Sequence, residues 1–216
     1  MKTKKYLFKL EDDNYIEAVL MKHNYGNSLC ISTQVGCNMG CKFCESGRLK
    51  KVRDLDSSEF ILQILRIEEY IKTRISHIVV MGIGEPFDNY INLTKFIEIV
   101  NYPKGINLGS RHITVSTCGV VPKIKDFSNF PYQVNLAISL HAPNNELRSK
   151  LMKINKAYNI EDEINNFRNL LRNSILEQID KKKIEFQQRT LFMEIINECE
   201  RIGDYVINVL SAMPRE

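Results

Sequence analysis

The sequence predicts an α/β chain built on a parallel sheet, and three observations carry that prediction. Short apolar runs such as HIVVM at His77–Met81 and HITVS at His112–Ser116 alternate with stretches of helical periodicity. Regular alternation of strand and helix implies crossover connections, hence parallel pairing in a sheet or barrel. Each run is followed by a loop bearing unusual residues: GIGEP at Gly82–Pro86, Ser116 and Thr117, then Ser139, Leu140 and His141. The carboxyl ends of parallel strands face one mouth, so these loops converge there together with a cysteine loop described below.

Taken in order, Tyr6–Leu10, Tyr15–Met21 and Ser28–Gln34 read as strands, with Asp12, Asp13 and Asn14 turning between the first two. Asp56 with Glu59 three residues later marks a helix N-terminus, after which Phe60, Ile61, Ile64, Leu65 and Ile71 recur on one face. His77–Met81 follows as a buried strand, then a helix near Leu93–Val100, the strand His112–Ser116, a short helix and the strand Val134–Ser139. After a loop, Ile160–Leu176 reads as a helix, Leu191–Ile196 as a strand and Arg201–Met213 as a last helix.

Composition bounds the function classes. The 216 residues, 44% hydrophobic and 26% charged, are enough for one substantial core. No stretch approaches a membrane span, so no membrane partner is expected. Glu11, Asp12 and Asp13 interrupt the N-terminal apolar patch before a signal-peptide core could form, which makes a reducing cytoplasm the expected compartment. The formal charge of +4 is mild, but Arg48, Lys50, Lys51 and Arg53 gather just after the cysteine loop and would set positive charge beside it. Lys181–Lys183 reads as a solvated turn.

That loop, GCNMGCKFCESG, places Cys37, Cys41 and Cys44 in Cys-x-x-x-Cys-x-x-Cys spacing. Structural zinc takes four ligands, commonly as paired Cys-x-x-Cys or Cys/His sets, and no histidine or fourth cysteine lies close by. Three thiolates can instead each hold one iron of a 4Fe-4S cubane, leaving the fourth iron open to a small molecule. The spacing resembles the radical S-adenosylmethionine (SAM) superfamily, in which the open iron grips the amino and carboxylate groups of SAM.

The runs GNSLCISTQVGCNMGCKFC, SHIVVMGIGEPFDNY, RHITVSTCGVVPKI and LAISLHAPNNELRSKLMKINKAYNI carry a more specific resemblance. From Lys5 to Leu171 the chain resembles the radical SAM adenine-C2 methyltransferases of 23S rRNA and tRNA, relatives of the Cfr methyltransferases that modify adenine C8. The resemblance implies an incomplete (β/α)6-type parallel barrel, with residues 1–29 as a short N-terminal β extension and 30–216 as the core. It implies cluster ligation by Cys37, Cys41 and Cys44, and SAM contacts from Gly84, Glu85, Ser116, Ser139, Leu140 and His141. Cys30 matches the family cysteine that resolves a covalent RNA adduct, and Glu17 the proton acceptor. From the residues alone, Cys30 reads as a buried strand cysteine and Glu17 as an outward-facing strand residue. The implied partners are 23S rRNA, tRNA and an electron donor such as flavodoxin or ferredoxin.

The family pattern is matched at neither end. An N-terminal RNA-binding accessory domain would precede Lys5, and the final section with its methyl-carrying cysteine is not recognisable. Cys118 and Cys199 are other cysteines to consider for that role, but both read as structural. The stretch INECERIGDYVINVL reads as barrel continuation, with a fainter resemblance to helices of PhoU-like proteins as the second reading. Beside the methyltransferase, two alternatives stay open: a radical SAM enzyme of another substrate, and an inactive remnant.

Overall fold

The computed structural model describes residues 2–160, which divide into two compact units. Residues 2–120 and 130–139 form the first, and residues 121–129 with 140–160 belong to the second. The helix expected over Ile160–Leu176, apart from its first residue, lies outside the described residues. So do the strand Leu191–Ile196, the helix Arg201–Met213, the lysine turn and Cys199.

The first unit carries a six-stranded sheet. Its strands are β1 (Lys2–Lys9), β2 (Tyr15–His23), β3 (Gly26–Cys30), β6 (His77–Val80), β7 (Ile113–Thr117) and β8 (Asn135–Ile138), in that spatial order. β1, β2 and β3 form an antiparallel meander, and β3, β6, β7 and β8 run parallel. The predicted alternation therefore holds from β3 onward, and the N-terminal strands extend the same sheet. The first turn lies where Asp12–Asn14 placed it: Leu10 N–H donates to Asn14 O at 2.8 Å, and Asp13 sits in the left-handed region.

Strand pleating divides the sheet into two unlike faces. One carries Ile16, Ala18, Leu20, Leu29, Ile78, Val80, Ile113 and Val115, none more than 1% exposed. Helices α1 (Ser57–Ile71) and α2 (Tyr90–Asn101) belong to this unit and pack on each other through Phe60 and Phe96, whose rings meet edge-on with centroids 5.3 Å apart. The other face is half-buried at Val19, Cys30, Val79, Thr114, Ser116 and Ala137, and registration of Val19 with Cys30, Cys30 with Val79, Val79 with Thr114, and Ser116 with Ala137 runs it across the sheet.

The expected start of α1 is realised as a capping box between Asp56 and Glu59, closed by Asp56 N–H donating to Glu59 Oε2 at 2.9 Å. Its buried face differs from the expected one: Ser57, Phe60, Gln63, Ile64 and Ile67 are buried, whereas Leu65 is exposed. Gln63 takes a core position because its amide accepts from Ser32 N–H and donates to Ser32 O, satisfying a buried loop.

The expected third strand stops early. β3 ends at Cys30, and Gln34–Val35 forms a separate β4 paired antiparallel with β5 (Arg53–Asp54). The intervening loop folds back on itself, which draws Gln34 and Val35 out of the main sheet: Val52 N–H donates to Val35 O, and Cys37 N–H to Leu49 O. The second unit contains α3 (Val121–Ser128) and α4 (Asn145–Leu151). The latter occupies the stretch expected to be loop, with Asn144 capping it by accepting from Leu147 N–H at 2.9 Å. No helix among the described residues is long and apolar enough to cross a membrane.

Candidate active site

The cysteine loop is held at its base and turned tightly around its thiols. Gly36, at φ +76°, lies so close to the returning chain that a Cβ there would stand 2.2 Å from Lys50 O. Cys44 N–H donates to Cys41 O and Gly47 N–H to Cys44 O, so the last two cysteines sit on successive turns. All three thiols are free of disulfides, with Cys37 buried and Cys41 and Cys44 half-buried. Burial pushes the Cys37 thiol up first, and the nearby charges of Glu85, Cys44 and Asp88 add to it. That direction disfavours a bare thiolate, and a cation at the thiols would reverse it.

The donor set fits a cluster. Among the described residues, no three His, Cys, Asp or Glu side chains close into a cage for a single metal ion. Three thiols that each take a separate iron do not require one. The expected patch of free positive charge beside the loop is corrected in part. Lys51 is ion-paired to Asp54 and Asp88, Arg53 to Asp12 and Glu59, and Arg48 to Glu45, so three of the four cations face carboxylates.

The GIGEP loop docks directly on this hairpin. Thr33 and Gln34 N–H both donate to Ile83 O, at 2.8 and 3.2 Å, and Ile83 N–H donates to Ser32 Oγ at 2.9 Å. Gly84, at φ +108°, is required there, because a Cβ would meet Thr33 Oγ1 at 2.6 Å and the Gln34 side chain at 2.7 Å. Glu85 is 4% exposed. Its Oε1 accepts from Thr117 Oγ1 at 2.7 Å and Phe87 N–H at 3.0 Å, and its Oε2 from Cys118 N–H at 2.8 Å. Burial pushes its carboxyl up, outweighing the donors from Cys118, Thr117 and Phe87. The carboxylate thus ties the end of β6 to the end of β7.

The remaining predicted residues divide between the two units. Ser116 and Ser139 share the half-buried face, with Oγ atoms 3.3 Å apart. Glu17 lies on the same face, two residues before Val19, the register partner of Cys30. Its carboxylate accepts from Lys5 Nζ at 2.8 Å. Cys30 is half-buried on that face, and its thiol is pushed up by burial. Leu140 and His141 open the second unit, where the Leu140 carbonyl accepts from Arg148 Nε and His141 adopts a left-handed backbone at φ +53°. Cys118 is buried as expected.

Sequence reasoning missed Gln34 and Asp88, which bind the cysteine hairpin to the GIGEP loop. The one available signal was a glutamine closing a run expected to be strand.

The chain is similar to known proteins in sequence and in fold. Proteins described as probable dual-specificity RNA methyltransferase RlmN match the chain from Acholeplasma laidlawii (64% identity over 160 residues) and Spiroplasma citri (60% over 162). Each match covers 74% of this chain and 47% of the relative, so the chain spans about half the length of the curated relatives it matches. The crystal structure of a radical SAM methyltransferase from Sphaerobacter thermophilus superposes with a TM-score of 0.75 at 41% identity, covering 78% of this chain and 50% of that one. The expected incomplete barrel-type α/β fold is thereby borne out. The Radical SAM superfamily model matches residues 31–179, from the end of β3 through the cysteine loop and every parallel strand end described above. A match over well over half the chain, anchored on the loops that the fold itself brings together, makes this protein a member of the radical SAM superfamily, whose chemistry uses S-adenosylmethionine and an iron–sulfur cluster.

Proposed function

We propose that this chain is the core of a radical SAM RNA methyltransferase acting on C2 of adenine in 23S rRNA and tRNA. The observation that carries the reading is the docking of the cysteine hairpin on the GIGEP loop through Ile83 O, which joins a three-thiol loop to a loop matched for SAM. The naming of relatives 59–64% identical supports the substrate class.

In this reading Cys37, Cys41 and Cys44 ligate a 4Fe-4S cluster, and Gly84, Glu85, Ser116, Ser139, Leu140 and His141 bind SAM. When bound, cluster and SAM together supply a 5'-deoxyadenosyl radical, the hydrogen-abstracting species that a non-nucleophilic ring carbon requires. The chain's own residues do the rest. Gly84 lets backbone approach the ligand, the serine hydroxyls of the open face offer hydrogen bonds, and the target base enters unstacked above that face. Glu17 takes a proton from the base, and the Cys30 thiolate attacks the sulfur of a thioether joining the base to a methyl-carrying cysteine, forming a disulfide as the C–S bond breaks and the base leaves with that electron pair to take up a proton; Glu17 and Cys30 lie on the same face, on neighbouring strands. Residues 1–29 serve as the β extension and 30–216 as the core, with a low-potential donor such as flavodoxin or ferredoxin supplying electrons.

The test is anaerobic reconstitution with iron and sulfide, followed by incubation with SAM, dithionite and ribosomal RNA. Mass spectrometry should find 5'-deoxyadenosine and 2-methyladenine, both abolished by Cys41→Ala. Deoxyadenosine without methylated adenine would overturn the RNA substrate. Failure to load iron would overturn the radical reading altogether.

A further inference from the structure

Four side chains close a polar ring between the cysteine hairpin and the GIGEP loop. Gln34, fully buried, donates from Nε2 to Asp54 Oδ1 at 2.8 Å and to Asp88 Oδ2 at 2.9 Å. Lys51 Nζ bridges the same two carboxylates, at 2.8 and 2.9 Å. Carboxylates only accept, so the Gln34 amide has one orientation, and its Oε1 is left to accept from Glu85 N–H at 2.9 Å. Lys51 and Asp54 belong to the return arm of the cysteine loop, Gln34 to its entry arm, and Asp88 to the turn after GIGEP. Lys51 N–H also donates to Asn38 Oδ1 inside the loop.

We propose that Gln34 is a positioning residue for SAM. Held by Lys51, Asp54 and Asp88, its amide fixes the Glu85 backbone N–H, and with it the placement of the Gly84–Glu85 segment relative to the three cysteines. The inference rests on the assignment of that segment to SAM made above. Two features favour positioning over mere stability. The ring spans the two loops whose spacing determines how a ligand reaches a cluster, and its hub contacts the SAM segment by main chain only. Gly84 excludes any side chain that would push that hub away: an added Cβ would lie 2.7 Å from Gln34 Cβ and 2.8 Å from its Cγ.

The test uses the reconstituted full chain and reads iron content, SAM affinity by equilibrium dialysis, and the change that SAM causes in the electron paramagnetic resonance spectrum of the reduced cluster. Gln34→Glu keeps the acceptor for Glu85 N–H but sets a third carboxylate against Asp54 and Asp88. It is expected to retain iron while weakening SAM binding about tenfold and diminishing the spectral change. Adding Asp54→Asn restores an amide–carboxylate pair in swapped order and should recover most of the affinity. Asp88→Asn, at a half-exposed position, gives a milder loss and serves if Gln34→Glu does not fold. Wild-type SAM affinity and spectrum in iron-loaded Gln34→Glu or Asp88→Asn would overturn the positioning role alone. Absence of SAM binding by the iron-loaded wild type would overturn the SAM assignment and this inference with it.

Discussion

Replacing Thr117 by valine removes one hydroxyl and leaves the shape of the side chain nearly unchanged. Thr117 is 1% exposed, and its Oγ1 donates to Glu85 Oε1 at 2.7 Å while accepting from Gly119 N–H at 3.2 Å. A hydrogen bond to an ionised group contributes about 1.5–3 kcal/mol and one to a neutral group about 0.5–1.5 kcal/mol. The cost of Thr117→Val therefore depends on whether Glu85 carries its charge. Burial raises the folded-state pKa of Glu85 above its ordinary 4.5, so the bound proton stabilises the fold at low pH, and that contribution is lost as pH rises through the folded value. Losing the Thr117 donor raises the folded value further, so the variant loses still more over the same rise. The expected gap between wild type and variant is about 1 kcal/mol at acidic pH, widening to about 2 kcal/mol on the alkaline side. With a urea slope of about 2 kcal/mol/M, the midpoint should fall by about 0.5 M and then about 1 M, read by far-ultraviolet circular dichroism. A gap independent of pH, or no gap, would refute the view that this hydroxyl serves a buried carboxylate.

Two further predictions bear on the frame around the site. Phe96→Ala empties a fully buried ring position against Phe60 and should cost about 3–5 kcal/mol in the same assay, whereas Leu65→Ala, at an exposed position of α1, should cost well under half of that. Arg53 pairs through two nitrogens with Glu59, and this holds the Glu59 carboxyl below its ordinary value. A lowered carboxyl stabilises the fold above its unfolded pKa and ceases to do so as pH falls through the folded value. The stability difference between wild type and Arg53→Gln should therefore be full at neutral pH and shrink in acid as Glu59 and then Asp12, the second carboxylate on Arg53, take up protons; a difference of constant size from neutral pH into strong acid would count against the pairs.

The parts of the fold legible in sequence were those with a local cause. Alternation in YIEAVLMKH gives β2, Asp56 with Glu59 gives the start of α1, and the apolar runs before GIGEP and STCG give the parallel strands. Where the cause was a distant partner, the sequence was mute. Gln63 is buried because Ser32 needs its amide, and Lys51 is neutralised because Asp88 lies across the hairpin; no spacing rule connects either pair. β4 and β5 contribute two residues each, too few for a period, and α4 spans seven, about two turns. The same division applies to the site: the three thiols announce themselves by spacing, whereas their support comes from residues whose only signature is a contact.

The two faces of the sheet explain why such a site is placed where it is. A parallel strand buried on both faces would be apolar at every position, as its neighbours demand. Here the second face is mixed: β6 gives it Val79, whereas β3 and β7 give it Cys30, Thr114 and Ser116 at half burial, with Glu17 added by β2 and Ser139 just past β8. Polar groups at intermediate exposure keep access to ligand or solvent, so they escape the cost of burial without partners. The fully buried polar groups at the strand ends, Gln34, Glu85 and Thr117, are by contrast each bonded to protein. The reactive candidates thus lie where a substrate can reach them, and the saturated ones lie where loops must be held. Saturation of Glu85 by Thr117, Phe87 and Cys118 places it with the second group, so in the proposed reading SAM meets the backbone around Gly84, which Glu85 and Gln34 hold in place.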